Sequence, residues 1–189
     1  MDYLIIINKM SDPACVNTLQ NQEEPEVDYQ ETPQIDPFKS LPKSPMNLAQ
    51  CKNDYFLSRE NKENYFQEKF WNVYDKEGYS FHHGKYKYND EFSPLAFIRR
   101  NVVTGLVQSM DSSLAHKNLF GVFKLSTNKQ LECMFITRGA QMIHECTGDM
   151  IESFTWSKLE TDTEDERNII SEFFNVEESD NIEFYTRFV

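Results

Sequence analysis

Leu119-Phe120-Gly121-Val122-Phe123-Lys124-Leu125-Ser126-Thr127-Asn128-Lys129-Gln130-Leu131-Glu132-Cys133-Met134-Phe135-Ile136-Thr137 is the stretch whose reading decides the fold. Two apolar runs rich in aromatic and branched side chains flank a short polar linker at 126–130. That pattern predicts two strands, 119–125 and 131–137, joined as a hairpin. Upstream, Leu95, Ile98, Val102, Leu106 and Met110 recur at helical intervals, with Val103 and Val107 widening the stripe. They predict a helix from Pro94 to Met110, with Pro94 suited to its first turn and Gly105 placed for close packing. A short second helix is expected over 112–117. Farther upstream, Tyr79 to Tyr88 alternates and predicts a strand, with Gly84 marking a bulge. A helix over 64–74 precedes it, carrying Phe66, Phe70, Val73 and Tyr74 on one face and ending at Gly78, which suits a positive φ. Downstream, 151–156 predicts a strand and 165–174 a closing helix bearing Ile169, Ile170, Phe173 and Phe174. The expected class is α+β, a mostly antiparallel β-sheet flanked by α-helices.

Composition bounds what such a domain does. Fifteen Phe, nine Tyr and two Trp supply a real core despite 39% hydrophobic content. A formal charge of −12 argues against a general affinity for phosphate backbones, which requires clustered Lys and Arg. Residues 1–35 form an acidic N-terminal segment, rich beyond residue 10 in Glu, Gln, Asp, Asn and Pro, and are expected to be disordered. The domain proper is expected at 36–189. Pro37, Pro42 and Pro45 give it an extended leader whose Phe38 and Leu41 are pinned against the core. Leu4 to Ile7 is too short for a signal segment, and no run approaches the roughly 20 apolar residues of a membrane span. Cys15, Cys51, Cys133 and Cys146 form no close pair suited to zinc and read as reduced thiols. A cytoplasmic protein without membrane contact follows.

Catalytic chemistry finds no anchor in these residues. His82 and His83 are adjacent in a strand, so their rings point to opposite faces and do not grip one ion. His116 and His144 lack acidic neighbours at ligand spacing. No nucleophile elbow and no glycine-rich phosphate loop is present. The expectation is a protein that is not an enzyme, with no cofactor and no metal. For binding, Lys85, Tyr86, Lys87 and Tyr88 interleave charge and rings, a pattern that suits an acidic partner or nucleic-acid stacking. The same lysines also suit ordinary protection of a sheet edge. Arg138 adds a candidate cation beyond the hairpin, and Arg99-Arg100 lie on the long helix.

Four collinear pieces carry a family resemblance. They are Asp36-Pro37-Phe38-Lys39-Ser40-Leu41-Pro42-Lys43-Ser44, then Phe70-Trp71-Asn72-Val73-Tyr74-Asp75-Lys76-Glu77-Gly78-Tyr79-Ser80, then Arg138-Gly139, and last Phe154-Thr155-Trp156-Ser157-Lys158-Leu159. In that order and spacing, 36–175 resembles the C-terminal domain of the gamma subunit of translation elongation factor 1. The resemblance implies an α+β fold and a non-catalytic scaffold, with other subunits of the elongation factor 1 complex as partners. It also implies departures. There is no room ahead of Asp36 for the family's glutathione-transferase-like docking domain, and the linker is acidic where the family's is lysine-rich. The aromatic-rich first strand becomes Phe81-His82-His83, and an acidic 176–189 replaces a basic tail. Those departures leave open a stand-alone protein- or RNA-binding module derived from the domain.

Overall fold

The computed structural model describes residues 36–60, 64–110, 112–141, 144–175 and 181–188. The expected disorder of 1–35 lies outside the described residues.

The hairpin forms as read. Strands β1 (Tyr79–Tyr86), β2 (Leu119–Ser126), β3 (Leu131–Arg138), β4 (Phe154–Leu159) and β5 (Ile182–Phe188) make one sheet in the order β4-β1-β3-β2-β5. Every neighbouring pair is antiparallel. The helices are α1 (Leu48–Glu60), α2 (Tyr65–Glu68), α3 (Ala96–Ser109), α4 (Ser113–Asn118), α5 (His144–Thr147) and α6 (Glu164–Phe174). The class is α+β, as the pattern predicted.

Alternation along the strands sends side chains to two covered faces. On one, Tyr79, Phe81, Phe120, Val122, Met134 and Ile136 pack with Leu48, Cys51 and Tyr55 of α1, Tyr65 and Phe66 of α2, and Ile170, Phe173 and Phe174 of α6. Ring stacking knits this layer together: Phe66 lies 4.2 Å from Phe174 and 4.5 Å from Phe70, centroid to centroid. On the other face, Phe123, Leu125, Leu131, Cys133, Phe135 and Phe154 meet Val103 of α3, Ala115 of α4 and Cys146 of α5. Each buried Phe contributes about 1.5–3 kcal/mol of burial free energy, so the aromatic excess is what closes both layers. Helix α6 starts where a capping box dictates: Thr163 Oγ1 accepts from the Glu166 amide and Glu166 Oε2 accepts from the Thr163 amide.

Several expectations need correction. Helix α1 was not foreseen, because its buried face includes Lys52 and Ser58 beside Cys51 and Tyr55, which dilutes the apolar period. The single helix over 64–74 is instead α2 followed by a 3-10 turn at Phe70–Asn72, broken at Lys69, and Val73 is 50% exposed. Strand β1 ends at Tyr86, and β4 begins at Phe154 because Gly148–Ser153 is a 3-10 segment. No bulge occurs at Gly84: it pairs in register with both Cys133 and Trp156. What requires glycine there is space, since an added Cβ would stand 2.6 Å from Cys133 Sγ and 2.7 Å from the Trp156 ring. Gly78 has no positive φ either, and a Cβ there would meet Ser44 Oγ at 2.8 Å. Gly105 is exposed, with nothing nearby for close packing.

The largest correction is at the C-terminal end, where α6 does not close the domain. β5 adds an edge strand to β2, and a register irregularity beside Leu125 and Ser126 leaves Glu183 without a direct partner in the ladder. Its carboxylate accepts from Arg99 Nε at 3.0 and 3.1 Å and from Arg99 Nη2 at 2.5 Å. Arg99 Nη1 donates to the Ser93 carbonyl at 2.6 Å. Both partners of this ion pair are nearly enclosed.

Candidate binding surfaces

Lys85 and Tyr86 end β1, and Lys87 and Tyr88 continue into the turn that follows. β1 lies between β4 and β3, so these lysines do not guard a sheet edge. Lys85 is exposed and pairs across β3 with Glu132. Lys87 Nζ donates to the Glu152 carbonyl at 2.7 Å. Tyr86 is half-buried, stacked on Phe92 at 5.2 Å, while Tyr88 is 45% exposed and meets the Tyr86 ring edge-on at 5.6 Å. The sequence therefore contributes two accessible cations and one accessible ring here, with Tyr86 anchoring them to the core.

Beside Lys85 the surface becomes a mixed-charge cluster. His83 Nε2 lies 3.5 Å from Glu132 Oε1, too long for a hydrogen bond of full strength, and its ring meets Phe173 of α6. The His83 contact holds the Glu132 carboxyl below the usual carboxylate range against the opposing effect of burial, with Lys85 and Lys124 adding to it. Lys124 sits 4.4 Å over the Phe173 ring, and burial lowers its ammonium pKa.

Arg138 does not join this surface. It pairs with Tyr79 at the far end of β1, six residues from Lys85, or about 20 Å along the strand. There its guanidinium donates to the carbonyls of Gly78 and Pro42 and lies 5.3 Å over the Tyr79 ring. The contact fastens the proline-rich leader to the sheet. Asp36 Oδ1 caps a 3-10 turn at Pro37–Ser40 by accepting from the Phe38 amide, and Phe38 packs on the second core layer. Ser44 Oγ donates to Asp75 Oδ2 at 2.5 Å, which holds that carboxyl below its ordinary pKa. Leader, β1 and α4 together line a cleft of about 740 Å³ that carries Lys39, Lys43, Lys117 and Arg138. Arg99 and Arg100 converge with neither surface. Arg99 is held by Glu183, and Arg100 lies over Phe184.

The remaining motif residues are spent on the fold. Trp71 Nε1 donates to Ser171 Oγ at 3.0 Å, and Trp156 Nε1 to the Ile151 carbonyl at 2.9 Å. Cys51, Cys133 and Cys146 are buried, and burial pushes the Cys133 thiol well up. Among the described residues no group of His, Cys, Asp or Glu gathers to hold a metal, and no helix is long and apolar enough to cross a membrane.

The pieces that interlock at the leader belong to a known domain. The family described as "Elongation factor 1 gamma, conserved domain" matches residues 33–141, more than half of the chain.

The chain belongs to the elongation factor 1 gamma conserved-domain family.

Individual relatives agree with the family match. Elongation factor 1-gamma of Danio rerio is 30% identical over 145 residues, covering 74% of this chain and 32% of that protein. Elongation factor 1-gamma-B of Xenopus laevis is 31% identical over 146 residues, covering 74% and 32%. The Homo sapiens protein is 29% identical over 148 residues, covering 75% and 33%. The chain thus spans about a third of the length of the curated relatives it matches. The leader, the Phe70–Ser80 segment and Arg138-Gly139 are joined by bonds through Arg138, Ser44 and the Gly139 amide, which donates to Gly78 at 2.8 Å. In this family member those motif residues set the entry of the chain into its sheet.

Proposed function

We propose that the domain serves translation elongation as a non-catalytic scaffold. It would dock within the elongation factor 1 complex, in the cytoplasm, while other subunits return nucleotide to the GTP-binding factor. The observation that carries this reading is the family match across residues 33–141. Support also comes from the use made of the family-like residues: Arg138, Gly139, Ser44 and Trp71 are committed to internal hydrogen bonds, which suits a rigid docking module. Lys85, Lys87 and Tyr88 are the accessible groups proposed to meet an acidic surface on a partner, steadied by Tyr86. Electrostatic matching of that kind contributes mainly to encounter rate and orientation.

A fluorescent-GDP release assay tests the non-catalytic reading. The purified chain should leave the rate of GDP release from the GTP-binding elongation factor unchanged at saturating concentration. Acceleration by the chain alone would overturn it.

A further inference from the structure

A second cleft, of about 540 Å³, opens on the opposite face of β1 from Lys85. His82, Trp156, Lys158, Ile151, Ala140 and Gln141 line it. Its floor is set by strand register. His82 faces Lys158 directly and Gly84 faces Trp156, so the four positions form adjacent cross-strand pairs on one side of the sheet. With no side chain at Gly84, the indole lies across β1 beside His82, its six-membered ring in the space a Cβ would fill. The bond from Nε1 to the Ile151 carbonyl fixes the ring in that position.

His82 is 94% buried, yet half of its hydrogen-bonding capacity is unused. Ser80 has a single hydroxyl proton, and it goes to the Gly139 carbonyl at 2.6 Å. The 2.9 Å contact between Ser80 Oγ and His82 Nε2 is therefore a bond donated by Nε2–H. Nδ1 is left as an acceptor with no partner among the described residues. It is not among the fully enclosed side-chain atoms left without a hydrogen bond, so Nδ1 of His82 is reached from the cleft. Burial, with a smaller contribution from Lys158, lowers the imidazole pKa to about 4 and keeps it neutral at pH 7. Lys158 is exposed and has no ion-pair partner among the described residues.

These groups specify a ligand. The indole offers a stacking wall suited to the face of a nucleobase. An acceptor set beside that wall calls for an N–H in the plane of a stacked ring. A free ammonium two residues along the same strand supplies a point charge suited to phosphate. The volume falls within the range of about 300–1,000 Å³ typical of small-molecule sites. We propose that this cleft binds a nucleoside monophosphate, with its base on Trp156, a base N–H donated to His82 Nδ1 and its phosphate on Lys158. The site shares no residue with the Lys85–Tyr88 surface.

Calorimetric titration at pH 7 with uridine monophosphate, adenosine monophosphate, uridine and inorganic phosphate tests the assignment, alongside nitrogen-15 NMR of the histidine rings. At least one nucleotide should bind saturably and move the His82 Nδ1 resonance, and phosphate alone should bind more weakly. Lys158→Glu should weaken that nucleotide by about tenfold or more while melting like the wild type, since its side chain lies at the surface. His82→Phe, which keeps a ring but removes the acceptor, should weaken nucleotide and uridine alike. Failure of both nucleotides to saturate, equal binding by phosphate alone, or unchanged affinity in a folded Lys158→Glu protein would each overturn the proposal.

Discussion

Glu183→Gln removes the charge from one of the most enclosed ion pairs in the domain and strikes at the strand the sequence concealed. The Arg99 guanidinium would keep its bond to the Ser93 carbonyl but lose a charged partner bound through both Nε and Nη2. Exposure of the two side chains is 8% and 11%, so water replaces little of what is lost. Breaking one half of such a buried pair costs about 3–5 kcal/mol, mostly as an uncompensated buried charge. For a domain of this size the loss corresponds to a drop of about 6–20 °C in midpoint. Urea unfolding at neutral pH and low salt, followed by tryptophan fluorescence, measures it directly. The double variant Arg99→Met with Glu183→Leu should recover most of the deficit, because no charge is then stranded. If Glu183→Gln unfolds within about 0.5 kcal/mol of the wild type, the pair is not holding β5 against α3 and the buried-charge reasoning is wrong.

Gly84→Ala should destabilise by about 1–3 kcal/mol, because the new methyl overlaps Cys133 Sγ and the Trp156 ring; chemical denaturation checks it. Stability should also fall as pH drops from 6.5 toward about 4, since the unfolded chain binds a proton that buried His82 refuses. The contribution of that site is about 3 kcal/mol over the window, so denaturation of His82→Gln should show a correspondingly flatter pH profile. Trp71→Ala should cost about 2–3 kcal/mol in thermal unfolding, below the range for a fully buried Trp, because the ring is half-buried and Arg167 covers it 5.5 Å away.

The hairpin was legible because its two-residue period coincides with burial, and the helix after β1 and α6 were legible from their helical periods, although Leu95, Ile98 and Ile169 of those stripes are exposed. The Phe38 and Leu41 leader was legible as turn chemistry, though the clamp that holds it, Arg138 on Pro42, joins residues 96 apart and leaves no local trace. β5 escaped because Glu183 and Arg187 interrupt its apolar residues, and only the fold supplies their partners, Arg99 and the Phe56 ring. Helix α1 escaped for a related reason: Lys52 is buried by donating to the His116 carbonyl at 2.6 Å, so a core position carries a charged residue. Of the candidate site residues, Lys85 to Tyr88 were recognisable as a surface from their alternation, whereas Arg138 read as a free cation and is a structural donor. The cleft at His82 was hidden by register, because nothing local to Tyr79–Tyr86 says that Lys158 and Trp156 lie beside it.

Docking is the central claim, and capture from a native lysate by the immobilised chain tests it most directly. Lysate of the source cells should yield the exchange subunits of the elongation factor 1 complex, identified by mass spectrometry. Lys85→Glu with Lys87→Glu should lose them while keeping its circular dichroism spectrum. Recovery of RNA or other proteins without any of those subunits, from a chain that is folded and accessible, would contradict the scaffold reading.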